Sequence, residues 1–143
     1  MPMTGARSLA FAVLVACGGR SHPAPTNAFD AKGLAAELNA LVSEMADAAT
    51  APNLDCAAAV TKLGEIEDHG RPLAERVRAA TLDPERANQL TRELHVYDRL
   101  AVGRSDAIVH RLASCFKERP ELQGQIQQVV DGMKRYSDAM QTP

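Results

Sequence analysis

The sequence predicts an all-α protein, an antiparallel four-helix bundle with a long central hairpin, set behind an N-terminal leader and tether. Three observations carry this expectation. Alanine and leucine, the strongest helix formers, are abundant, whereas aromatic residues make up only 3% of the 143 residues and no alternating strand pattern occurs. Apolar residues recur at spacings of four and three through four successive segments. Each segment is separated from the next by a short stretch containing proline or a capping residue.

The first helix is expected to start at Asp30, whose carboxylate can cap the free amides of the opening turn. Leu34, Leu38, Leu41, Met45 and Ala48 form one stripe, with Glu37, Asn39, Glu44 and Asp47 on the other side. Thr50-Ala51-Pro52-Asn53 ends it and offers Asn53 as the next cap. The second helix carries Cys56, Val60, Leu63, Ile66, Leu73, Val77 and Ala80 on one seam. Pro72 removes a backbone donor and crowds the turn before it, so a kink is expected near Asp68–Gly70. The seam keeps phase across that point through Ile66, Gly70, Leu73 and Val77, which favours one kinked helix over two short ones.

Asp83-Pro84-Glu85 opens the third helix with a cap, a proline in the first helical position and an acid in the first turn. Its stripe runs through Ala87, Leu90, Leu94, Tyr97, Ala101, Ile108, Leu112 and Cys115, and weakens at Gly103-Arg104-Ser105, where a bend is expected. Arg119-Pro120-Glu121 restarts the chain, because the residue before proline disfavours helix. Leu122, Ile126, Val129, Met133, Tyr136 and Met140 make the last stripe. Short connections place consecutive helices antiparallel, with the long second and third forming the hairpin and the first and fourth flanking it.

Ahead of the bundle, Arg7 precedes an apolar run from Leu9 to Ala16 that closes as Leu14-Val15-Ala16-Cys17. A basic start, a short apolar centre and a small residue at the cut are the layout of a secretory signal. The run is far short of the ~20 residues that a spanning helix needs. Leu-x-Ala-Cys in register with it resembles the lipobox of bacterial lipoproteins. That resemblance implies a diacylglyceryl thioether on Cys17 and cleavage just before it. The expected organisation is therefore a signal peptide over 1–16, a tether over 17–28 and the helical domain over 29–141. Gly18 to Ala28 holds two prolines and no apolar period, and reaches at most ~36 Å at ~3.3 Å per residue. The resemblance also implies a lipid-anchored place in a bacterial envelope, with the domain in the periplasm or at the cell surface. Gly18, in place of the aspartate that retains lipoproteins at the inner membrane of enteric bacteria, points to the outer membrane.

Sixteen basic and 18 acidic residues, interspersed, give a net charge of −2 and leave no basic face for nucleic acid. With Cys17 lipidated, Cys56 and Cys115 remain as a pair in an oxidising compartment, where they are expected to form a disulfide. They stand unequally far from the turn at 82–83, by about six residues or ~9 Å at 1.5 Å per residue. A bend, break or sloped crossing must absorb that difference.

Chemistry-bearing patterns are few. The sequence has no Cys-x-x-Cys-His haem attachment and no Gly-x-Ser-x-Gly, and its first and last helices carry no histidine that could face a methionine across a haem. A di-iron bundle needs Glu-x-x-His, but Ile66, Arg92 and Ala107 precede His69, His95 and His110 by three. One constellation remains: in a hairpin turning at 82–83, His69 and His95 share a height, with Glu65 and Asp98 one turn away. Two imidazoles and two carboxylates could ligate Zn²⁺ or a similar ion; otherwise they form ordinary surface pairs along their own helices.

The sequence reading is thus a membrane-anchored, non-enzymatic interaction module with an envelope protein as partner, no cofactor and no nucleic acid. Its alternative is a metal-binding or metal-sensing bundle using Glu65, His69, His95 and Asp98. Mass spectrometry of the N-terminal peptide of the mature protein is expected to find acylated Cys17. Cys17→Ser should release the protein from membranes, since two or three acyl chains, at ~0.8 kcal/mol per buried CH₂, supply the anchoring. An unmodified Cys17 would overturn the lipidation.

Overall fold

The computed structural model describes residues 28–140, with the side chains of 100–102 and 138–140 left aside. The lipobox stretch, Cys17 and nearly all of the tether lie outside the described residues. Among those residues the structure is all-helical, with five packed α-helices: α1 (Ala31–Thr50), α2 (Cys56–Thr81), α3 (Pro84–Leu94), α4 (Asp98–Glu118) and α5 (Gln123–Met140). Single turns of 3₁₀-helix precede α4, at His95–Tyr97, and α5, at Pro120–Leu122.

The helix starts follow from their caps. Asp30 accepts from the Gly33 amide at 2.8 Å to open α1, and Asp83 accepts from the Glu85 amide at 2.9 Å to open α3 behind Pro84. The cap of α2 is not Asn53 but Asp55, which accepts from the Ala58 amide at 2.8 Å. Asn53 lies in the turn before it, exposed. Helix α2 runs as one helix through Pro72. The bond that the proline cannot donate would have gone to the Asp68 carbonyl on an exposed turn, where water can replace it.

The third expected helix is divided, and not at Gly103. Ile108, Leu112 and Cys115 continue the stripe in an unbroken α4, and Gly103 lies in open space inside it. The break falls at His95–Tyr97. There Leu94 and Tyr97 both pack beside Leu90, three residues apart, which suits a tighter helix in which i and i+3 eclipse. Val96 is left 73% exposed, and His95 Nδ1 donates to the Asp98 carboxylate across the same turn.

The expected central hairpin of the second and third helices is not what the packing shows. Helix α2 packs most extensively on α5, then on α1; α4 packs chiefly on α1, and α2 meets α4 only briefly. Small residues explain the choice. Gly64 of α2 lies under Val129 of α5, and a Cβ on Gly132 would fall inside the Glu67 side chain. A Cβ on Gly70 would overlap the Tyr136 hydroxyl and crowd Leu41. At Gly70 and Gly132 the two helices therefore approach more closely than a side chain would permit, whereas at Gly64 a Cβ would make only ordinary contact with Val129. On the other side, Ala31, Ala35, Ala46 and Ala49 give α1 a shallow buried face.

Two apolar clusters result. One joins Met45, Val60, Leu63, Ile66, Ile108, Leu112, Cys115, Ile126 and Val129 near the α1–α2 connection. The other joins Leu34, Leu38, Leu73, Val77, Ala80 and Leu90 near the α2–α3 turn. Half-buried Leu41 packs against both. Because the ends of α1 and α2 appear in reverse order in the two clusters, these helices run antiparallel.

Alanine in place of an interior helical glycine ordinarily gains about 1 kcal/mol. Gly103→Ala, with nothing nearby, should show most of that gain in urea denaturation, whereas Gly132→Ala should be destabilising because Glu67 must leave its seat. Equal effects at the two positions would mean that α5 does not lie this close to α2.

Candidate functional site

The structure brings Cys56 and Cys115 together. Cys56 opens α2 and Cys115 lies in the last turn of α4; their Cα atoms are 5.3 Å apart and their sulfurs are at bonding contact. Both are buried in the cluster near the α1–α2 connection. The unequal path lengths from the α2–α3 turn are taken up by a third segment that is not one straight helix but α3, a 3₁₀ turn and α4. The bridge spans the brief contact between α2 and α4, closing a 59-residue separation.

The four candidate metal ligands are not brought together. Among the described residues no three of His, Cys, Asp or Glu are arranged to hold an ion. His69 is exposed on α2, Glu65 pairs with Lys62 at 3.7 Å, and His95 is taken by Asp98 within its own turn. A shared height would have required α2 to face α3 and α4 along its length. Instead it faces α5 and α1.

Two features were absent from the sequence expectation. The first is a buried acid. Glu67 is 5% exposed, and its Oε1 accepts from Arg135 of α5 at 3.0 Å, while Arg71, one turn on, approaches Oε2 at 4.0 Å and pairs more closely with Asp68 at 2.7 Å. The sequence did hold a signal: Glu67 is four residues from Leu63 and three from Gly70, hence on the seam, and Gly132 and Arg135 share a face of α5. Close by, the Tyr136 hydroxyl is buried with no hydrogen-bond partner among the described residues. Its burial, reinforced by the Glu67 carboxylate, pushes its pKa up to about 12, so it stays neutral.

The second feature is a cavity of about 380 Å³ between α1, α4 and α5, bordered by the 3₁₀ turn. Leu38, Leu41, Val42 and Met45 of α1, Leu94, Tyr97, Ile108, Met133 and Tyr136 make its apolar walls. Asn39, Asp98, Ser105 and Ser137 supply the polar part of its lining. Arg104 donates to the Asn39 side chain at 2.8 Å, tying α4 to α1 beside it. The sequence stripes named several of these residues as core. The break beside them, where Leu94 and Tyr97 stay half-buried, was the part not foreseen.

Compared with known protein families, with curated proteins and with solved structures, the chain matches none.

Closing a loop of this size is worth about 4 kcal/mol in the chain-entropy treatment. Reduction of the Cys56–Cys115 pair should therefore lower the melting temperature by more than about 10 °C for a domain of this size. Alkylation without reductant should label neither residue; ready labelling of both would show that no bridge forms in the protein.

Proposed function

We propose that the chain is an envelope lipoprotein, anchored through Cys17, whose helical domain is a non-enzymatic interaction module for a protein partner. The observation that carries the interaction reading is the outer face of α4. Val109 is 58% and Phe116 43% exposed there, with exposed Ala113 between them at helical spacing. Apolar side chains aligned on one solvent face mark contact surfaces more often than singly scattered ones do. The lipobox resemblance supports the anchor, and the apposed cysteines suit an oxidising compartment outside the cytoplasm.

In architecture we read α3 and α4 as one broken column, so that the domain is a variant of the four-helix bundle. In this arrangement the third column stands beside the first instead of pairing along the second. The tether would give the domain limited reach from the membrane, and the α4 face would remain free for a partner.

The test is capture from detergent-solubilised envelope with the lipidated chain as bait, comparing it with a Val109→Glu, Phe116→Glu double variant. A partner retained by the parent chain should be lost by the variant, while the variant stays folded, since Val109 is mostly and Phe116 nearly half in solvent already. Retention of the same partner by both would remove the α4 face from the proposal.

A further inference from the structure

We propose that the cavity between α1, α4 and α5 is a binding site for a small, uncharged, apolar molecule. This goes beyond the interaction module and does not depend on it. Protein interiors leave few voids larger than a water molecule, whereas a volume of about 380 Å³ falls within the range of small-molecule sites. Leu41, Val42, Leu94, Tyr97, Met133 and Tyr136 converge on it, and none is fully buried by the packing of the helices. Water in contact with such walls finds few hydrogen-bond partners, and an apolar guest would cover all six side chains at once.

Charge decides the class of guest. Among the described residues, Asp98 is the one carboxylate of the lining, and no Lys, Arg or His belongs to it. Asp98 is paired with His95, and Arg104, whose Nη1 donates to Asn39, stands beside the cavity and not in its described lining. A carboxylate or phosphate headgroup seated among these walls would meet Asp98 and, among the described lining residues, no cation. A guest whose polar part is no more than a hydroxyl meets no such penalty. Entry has a natural place as well. Leu94 precedes the 3₁₀ turn and Tyr97 ends it, and because the hydrogen-bond geometry of such a turn is poorer than that of an α-helix, this wall yields most easily.

The chain lends itself to a direct test, because it has two tyrosines and no tryptophan, and both tyrosines, Tyr97 and Tyr136, line the cavity. The probe is N-phenyl-1-naphthylamine, a neutral fluorophore, titrated into the purified Cys17→Ser chain without detergent. Saturable binding with loss of tyrosine emission is expected. Displacement by 1-dodecanol should be at least about tenfold more effective than displacement by laurate, its carboxylate counterpart. Val42→Phe on α1 and Ser105→Phe on α4 fill the space from two sides. Each should weaken the probe by at least about tenfold without lowering the melting temperature, as cavity-filling substitutions do.

Absence of saturable binding would overturn the site. So would binding that leaves tyrosine emission unchanged, or filled variants that melt like the parent and bind equally well. Equal displacement by laurate would overturn the requirement for a neutral guest. Should a filled variant melt lower, the tyrosine signal and the alcohol–carboxylate comparison on the parent chain decide the matter.

Discussion

Helix α5 can lie against α2 as closely as it does because glycine stands at the points of approach and one acid fills what glycine leaves open. Gly70 lies under Tyr136, and Gly132 makes room for Glu67. Once α5 takes this place beside α2, the chain between them cannot occupy it. Helix α4 is displaced onto α1, whose alanine-rich buried face accepts it. The departure from a simple hairpin is thus decided by the size of a few side chains. Length and stripe pattern alone do not distinguish the two arrangements.

Glu67 adds a polar condition to that packing. A carboxylate removed from water costs free energy unless an opposite charge and hydrogen bonds replace the lost solvation. Arg135 supplies both from the facing helix, and its guanidinium, about half exposed, keeps part of its own hydration. Sliding α5 by one helical turn, about 5.4 Å, would carry Arg135 away and set Glu67 against a position where a side chain has a Cβ. The pair therefore penalises the wrong registers more than it stabilises the right one. The apolar contacts of Leu122, Ile126 and Val129 supply the attraction that holds α5 in place.

Much of each helix could be read from the sequence, and little of how the helices meet. The stripes of α1 and α2 became buried faces almost residue for residue, and Asp30 and Asp83 cap as their side-chain chemistry requires. Asn53 and Asp55 are both good caps two residues apart, and which one serves depends on where Cys56 must sit to reach Cys115. The break at His95–Tyr97 was masked because Leu94 and Tyr97 fit an α-helical stripe as well as a 3₁₀ turn. Gly103 attracted attention that its open surroundings did not warrant. The proposed metal constellation fell for a related reason. Height along a hairpin is a one-dimensional quantity, whereas ligation depends on which faces meet, and that was decided by glycines at the α2–α5 contact, Gly70 beside His69 itself and Gly132 on α5. The cavity has the same origin, since its walls come from helices that the stripes could not place beside each other.

The division of the core into two clusters has a consequence for how the protein opens. Local unfolding proceeds through contiguous units whose free energies differ with their buried contacts and constraints. The covalent bridge lies wholly within the cluster of Met45, Leu63 and Val129, and it restrains the opening of that unit. The cluster of Leu38, Val77 and Leu90 has no such restraint and meets its neighbour through half-buried Leu41, beside a cavity. Amide exchange should therefore form a gradient along the long axis, slowest around Cys115 and fastest where α3 turns from α2. The end of the domain next to Phe29, where the preceding chain joins, is the one that breathes.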